Sequence, residues 1–262
     1  MQPEMKPMAL QQTIHLDVHL RGWPWHLTAA WAGVLGYALS GAQEWGWRVV
    51  YLVLLVDALW GAWWRLFQPP DPEGTVVPRP LPYAEEGAPW YRLTRWVKAH
   101  FFSGLFLVTL GVVVVTQVLS PLALWASGVA LFMALLGGWT SRVWPSLTPY
   151  ISHVYCLALP LWAGAYINGH WTTAGGLAFA LTAAAWAHLT SGALSWMWRA
   201  AALAGWGWTL YARVSPWFVS ATLIAILLAT FTKDKGRAST LWWLALSSTA
   251  VYFLMHNILG RL

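Results

Sequence analysis

The stretch LVDALWGAWWRLFQPPDPEG, residues 55–74, places a carboxylate inside an apolar run. A carboxylate in the middle of a bilayer-spanning helix raises the free energy of membrane insertion by about 3 kcal/mol. Such a residue usually marks a functional position. Residues at i, i+3 and i+7 share one face of a helix, and here they are Asp57, Trp60 and Trp64. Carboxylates at this spacing would hold Mg²⁺ through hard oxygen ligands, which an indole does not provide. From its place in the sequence, Asp57 either pairs with a basic group such as Arg65 or makes a polar contact between helices.

The histidines offer a second kind of chemistry, ligation of a haem iron or of a chlorophyll magnesium. Neutral imidazoles at matching depth on different helices could bind such a metal. The alternative is that they are ordinary polar residues at headgroup level. Among the histidines in or beside the apolar segments, no pair has the i, i+4 spacing of a metal site on one helix. The four histidines predicted near one end of the apolar segments are His26, His100, His153 and His188.

Tryptophan is abundant, with 23 residues in the chain. Some of these residues lie close to Asp57 in the sequence or near the end of the apolar segment 172–193. Many of the others lie near segment ends, where aromatic belts are expected. Flat rings in an internal cavity could stack on an isoprenoid, a carotenoid or a tetrapyrrole, or they could simply fill the space. The candidates for these roles are Trp60, Trp64, Trp186 and Trp198.

Composition predicts the environment of these residues. The chain has 262 residues, of which 58% are hydrophobic and 9% charged. A soluble domain carries about 25% charged residues, so this composition predicts an all-α polytopic integral membrane protein. The formal charge of +6 does not indicate nucleic acid, because the basic residues lie in short loops beside apolar segments, where they would contact membrane lipids.

Each bilayer span needs about 20 mostly apolar residues. The segment at 196–213 is either a ninth span or a helix on the membrane surface, so eight or nine transmembrane helices are expected. With the N-terminus in the cytoplasm, most basic residues fall on the inner side of the cytoplasmic (inner) membrane under either count. The other predicted spans are 23–42, 46–67, 99–119, 121–140, 150–169, 172–193, 214–232 and 240–260.

The one long loop, residues 68–97, is predicted to face the cytoplasm. Its first part is broken by prolines, and its second part, APWYRLTRWVKAHF, alternates basic with aromatic residues. This alternation predicts an interfacial helix leading into the third span. The whole chain, 1–262, is interpreted as a single transmembrane helical domain.

The arrangement resembles the UbiA-type intramembrane prenyltransferase superfamily. That family has an N-D-x-x-D-x-x-x-D motif at the inner end of its second helix, followed by a P-x-R-P-like loop. In this chain Val56 stands at the Asn position and Asp57 at the first Asp, while Trp60 and Trp64 stand at the next two. The stretch PRPLP, 78–82, is similar to the family's loop, and AGWGWTL, 204–210, loosely resembles its G-x-x-T-L segment.

The resemblance implies a Mg²⁺–diphosphate site of which only part is present. The second acidic motif would fall near 191–199, and SGALSWMWR contains no acid. We therefore expect a non-catalytic membrane subunit that binds a hydrophobic lipid, quinone or pigment beside other membrane subunits of a respiratory or photosynthetic complex. The alternatives are a divergent prenyltransferase using Mg²⁺ and an electron-transfer subunit that binds haem b. The residues of the remnant metal and diphosphate site would be Asp57, Asp71, Glu73 and Arg79.

Overall fold

The computed structural model describes residues 28–40, 46–69, 90–167, 172–187, 189–211 and Met255. Within these residues the chain forms eight helices and no strands. In chain order they are α1 (Thr28–Leu39), α2 (Trp47–Phe67), α3 (Tyr91–Ala99), α4 (Phe101–Leu119), α5 (Pro121–Val143), α6 (148–166), α7 (Thr172–Ala187) and α8 (Gly192–Tyr211). The all-helical prediction is confirmed for this part of the chain. The predicted spans at 214–232 and 240–260 lie outside it.

Three of these helices, α2, α4 and α5, are long and apolar enough to cross a membrane. Their long apolar sequences, with few charged residues, explain why the predicted spans and the observed helices agree closely at these positions. Ser120 separates α4 from α5, and its Oγ accepts a hydrogen bond from the backbone N–H of Ala123 as the N-cap of α5. The total number of spans stays a prediction.

The outer faces of α4 and α5 are apolar, and the inner face of α5 is lined by small residues. Phe102, Phe106 and Phe132 are more than 60% exposed, whereas Ala126, Ala130 and other small side chains of α5 are buried. An extended apolar surface of this kind is unfavourable in water and is typical of contact with lipid or another protein. Small inward residues allow close helix packing, as in membrane bundles.

Glycine residues allow two pairs of helices, α1 with α6 and α2 with α5, to approach each other especially closely. A Cβ on Gly36 of α1 would overlap the backbone carbonyl of Leu161 in α6, and one on Gly164 would overlap that of Gly33. On α5, a Cβ at Gly138 would lie 2.5 Å from the carbonyl oxygen of Phe67. At these positions only a hydrogen atom fits between the two helices.

Contacts between neighbouring helices define two ends of the bundle. Trp63 and Thr109 are hydrogen-bonded, and Phe67 contacts Phe101 edge-on at 6.3 Å, so α2 and α4 run antiparallel. The contact between Phe67 and Gly138 places the last part of α5 at the same end. We call this end the Phe67 end and the opposite one the Trp47 end.

The segment at 196–213, predicted as a ninth span or a surface helix, lies almost entirely within α8. Ser195 Oγ donates a hydrogen bond to the Ala187 carbonyl, and further along, a Cβ on Gly205 would lie 2.9 Å from Cβ of Ala180. These contacts pair α8 lengthwise and antiparallel with α7. This packing favours a helix upright in the bundle over one lying flat on its surface.

Candidate functional site

Asp57 lies midway along α2, not at the helix end where the family motif is expected. Here the helix widens into a π-helical segment, Leu54–Leu59, bounded by α-helix on both sides. The carboxylate is completely buried, and its Oδ2 accepts a hydrogen bond of 2.7 Å from the indole Nε1 of Trp90. The structure therefore gives Asp57 a polar contact that ties α2 to the residue immediately before α3. π-Helical segments are frequent at functional sites, but the carboxylate of this one is hydrogen-bonded to another protein side chain.

Trp60 and Trp64, at the second and third positions of the motif, are fully buried in the core. The Trp60 indole donates a hydrogen bond of 3.2 Å to Ser127 Oγ on α5. The Trp64 ring lies 4.6 Å from the Tyr155 ring, and a Cβ on Gly137 would overlap it. Both indoles thus fill the space between α2, α5 and α6, where a stacked ligand would need open room.

Tyr155 connects the π-helical segment of α6 to the residue that follows the π-helical segment of α2. It lies in the π-helical segment Val154–Ala158 of α6 and is itself completely buried. Its hydroxyl donates a 2.7 Å hydrogen bond to the backbone carbonyl of Trp60, which directly follows the π-helical segment of α2. A buried tyrosine hydroxyl usually needs such a partner, and here the partner is main chain. This bond fixes the positions of α2 and α6 around Trp64.

Trp186 is at the centre of a second aromatic group that includes Trp198. Its ring centroid lies 4.8 Å from that of Trp198 in an edge-to-face arrangement and 5.7 Å from that of Tyr150. The Trp186 indole also donates a hydrogen bond of 3.2 Å to the Tyr150 carbonyl. Both tryptophans are partly exposed, unlike Trp60 and Trp64. They join α6, α7 and α8 at the Phe67 end.

The two described histidines have different surroundings. His153 is buried on α6, directly before its π-helical segment. His100 is exposed between α3 and α4, where it stacks on Trp96 at 5.2 Å and its Nδ1 is 3.1 Å from the Trp96 carbonyl oxygen. A pair of axial ligands would have to face one shared cavity, and this pair does not share an environment.

The remaining predicted site residues, Asp71, Glu73, Arg79, His26 and His188, lie outside the described residues. Within the described ranges, no group of three or more histidine, cysteine, aspartate or glutamate side chains could hold a metal ion. Asp57 is the one acidic residue in those ranges, so a second carboxylate ligand for Mg²⁺ there would have to come from elsewhere in the chain.

Three residues that surround the site were not predicted from the sequence. Trp90 was assigned only to an interfacial helix, and Tyr155 and Gly137 only to the predicted spans 150–169 and 121–140, the second of which contains the adjacent glycines 137 and 138. The glycine pair was the usable signal, because adjacent small residues in a bilayer helix indicate a close neighbour. The partner of Asp57, 33 residues away, leaves no comparable signal.

Comparison with known proteins gives no relative for this chain. No protein-family model matches it, and no curated protein or solved structure matches it either. The chemistry of the region around Asp57 is therefore assigned from its own side chains.

Proposed function

We propose that this protein is a non-catalytic integral membrane subunit that uses a prenyltransferase-like scaffold for binding and assembly. The proposal rests on the side chains that stand at the positions of the family's first acidic motif, and on their contacts. Asp57 accepts a hydrogen bond from Trp90, and fully buried indoles occupy both downstream motif positions. Mg²⁺ needs several oxygen ligands around the departing diphosphate, and this helical face supplies one carboxylate.

Membrane insertion is supported by the outward faces of α4 and α5. Phe102 and Trp125 are more than 70% exposed, and they continue into a surface of phenylalanine, leucine and valine side chains along both helices. Burial of such surface by lipid tails or by a neighbouring subunit removes it from water, which is favourable by about 25 cal/mol per Å². The cytoplasmic (inner) membrane and the count of eight or nine spans are part of the same proposal.

The orientation is supported by where the structure places the basic residues. The described ones lie on the Phe67 side of the bundle, except Arg48, which lies at the Trp47 end. The positive-inside rule then places the Phe67 end in the cytoplasm. The residues on that side are Arg65, Arg92, Arg95, Lys98, Arg142 and Arg199.

Cysteine labelling tests this orientation. Ser146 and Ser191 are exposed next to the Phe67 end, and Gln117 is exposed near the Trp47 end. We expect Ser146→Cys and Ser191→Cys to react with a membrane-impermeant maleimide from the cytoplasmic side and Gln117→Cys from the other side. The one native cysteine, Cys156, is buried and provides the unlabelled background. Labelling of Ser146→Cys and Gln117→Cys from the same side would contradict the proposed topology.

We propose that the ligand is hydrophobic, namely a lipid, a quinone or a pigment, and that the outer faces also meet other membrane subunits. Trp186 and Trp198 are the better candidates for contact with a ligand, since their rings are partly exposed. Trp60 and Trp64 are expected to stay structural. The UbiA-like scaffold rests on the motif spacing of Asp57, Trp60 and Trp64 along the second helix and on the sequence resemblance of the loop that follows.

Purification from the native membrane tests the role directly. We expect stoichiometric membrane partners or an extractable isoprenoid, quinone or pigment, and no Soret band, because His100 and His153 do not share an environment. A Soret band lost in His153→Ala would favour the haem-binding alternative. A monomer free of such ligands and partners would contradict the subunit assignment.

A further inference from the structure

Helix α3 has one buried face and one cationic face. Thr94 and Val97 are buried against the bundle, and the Cα of Val97 would lie 3.0 Å from a Cβ on Gly104 of α4. The opposite face exposes Arg92, Arg95 and Trp96. Because residues at i, i+3 and i+4 lie on the same side of a helix, the two guanidinium groups and the indole form one surface.

The same helix is held upright against the second half of α2. At its start, Trp90 reaches Asp57, midway along α2. At its end, Lys98 Nζ donates a 2.7 Å hydrogen bond to the carbonyl oxygen of Pro69, just beyond α2. Helix α3 therefore runs alongside α2 toward the Phe67 end, so Arg92 and Arg95 lie on the flank of the bundle and not in a loop beyond it.

Exposed apolar side chains lie on the adjoining helix, α4. Phe102 and Phe106, in the first turns of α4, are 84% and 67% exposed. A guanidinium beside such a surface costs several kcal/mol unless it reaches an anion or water, and arginine does so by extending its aliphatic stem toward the headgroups. Within the described ranges, the one carboxylate is the buried Asp57.

From these contacts we propose that the outward face of α3 is a binding site for the headgroup phosphate of an anionic phospholipid. Arg92 and Arg95 hold the phosphate together, because planar guanidinium groups form paired hydrogen bonds with its oxygens. Trp96 lies beside them at the interface, a position that indoles favour in membranes. The site goes beyond the proposed subunit role and depends only on membrane insertion.

Native mass spectrometry of the detergent-purified full chain tests the site, with phosphatidylglycerol and phosphatidylcholine as probes. We expect the wild type to prefer phosphatidylglycerol, and the variant Arg92→Gln/Arg95→Gln to lose about tenfold or more of that preference, since each basic residue near an anionic surface contributes about 1 kcal/mol. Arg142→Gln is the matched control, because Arg142 is exposed on the same side of the bundle but on α5. It should keep the preference.

The Arg92→Lys/Arg95→Lys variant separates charge from geometry and should keep part of the preference. Equal binding of both lipids by the wild type would overturn the proposal. Unchanged preference in the double glutamine variant, or an equal loss in Arg142→Gln, would also overturn it. Failure of the wild-type chain to remain in the membrane after alkaline extraction would instead contradict membrane insertion, and so the proposed function itself.

Discussion

Gly36→Ala is expected to destabilise the protein by about 3 kcal/mol, the upper part of the range for overpacking. The added methyl group would overlap the backbone carbonyl of Leu161, and a carbonyl held in a helix cannot turn away as a flexible side chain could. Helices α1 and α6 would therefore have to separate, which also loosens the contact between Gly33 and Gly164. Unfolding in mixed detergent micelles, followed by circular dichroism, measures the change.

Gly128→Ala is the matched control for this substitution. Gly128 lies within α5, and a Cβ there would meet no atom within 4 Å. The same chemical change should be neutral or stabilise the helix by up to about 1 kcal/mol, which is the helix preference of alanine over glycine. Equal effects of the two substitutions would show that the close approach of α1 and α6 is not as described.

Trp64→Ala should cost about 3–5 kcal/mol in protein to which no ligand has been added, because removal of a buried ring leaves a cavity. The Trp64 ring is 1% exposed and packs between Tyr155 and Gly137. Trp125→Ala is the control: Trp125 is 71% exposed on α5, and its truncation should change the free energy of unfolding by about 0.5 kcal/mol or less.

A double-mutant cycle with Gly137 separates space filling from ligand stacking. Gly137→Ala alone should cost about 1–3 kcal/mol, because its methyl group would overlap the Trp64 ring. In Trp64→Ala/Gly137→Ala that overlap is gone, so the combined cost should be smaller than the sum of the single costs. If Trp64→Ala left stability unchanged but weakened binding of a co-purified ligand, the ring would have a ligand-stacking role.

The sequence was sufficient to predict the long apolar helices but not the interior of the site. Helices α4 and α5 were predicted closely because each is an uninterrupted apolar run between polar residues. The environment of Asp57 was not predicted, because its hydrogen-bond donor is Trp90. The charge pattern around Trp90 had indicated a helix at the membrane surface. The widened turns at 54–59 and 154–158 have no pattern of their own, because a π-helical segment depends on tertiary packing.

For a similar reason, the sequence predicted the positions of the site residues along the helix but not what surrounds them. Periodicity correctly placed Asp57, Trp60 and Trp64 on one stretch of helix, but it could not distinguish a ring that lines a cavity from one that fills it. That distinction comes from Tyr155 and Gly137, which lie on other helices. Trp186 and Trp198 contact each other edge to face, and their role in stacking on a ligand stays a prediction.

The central claim is that Asp57 has a structural and not a catalytic role. Asparagine keeps an oxygen that can accept the Trp90 hydrogen bond, so Asp57→Asn should fold and lose at most about 1–2 kcal/mol, the cost of one buried hydrogen bond. Asp57→Ala removes the acceptor and should cost more. The asparagine variant therefore removes the negative charge while it preserves the packing around Trp90.

The most direct measurement supplies the purified wild-type protein and Asp57→Asn with Mg²⁺, labelled farnesyl or geranylgeranyl diphosphate, and a panel of aromatic, quinone-precursor and pigment acceptors. Release of diphosphate and formation of prenylated product are followed with and without chelation of the metal. We expect no Mg²⁺-dependent turnover by either protein, because the helical face of Asp57 offers a single carboxylate, already hydrogen-bonded to Trp90. Turnover by the wild type that chelation and Asp57→Asn both abolish would contradict the account and establish a prenyltransferase.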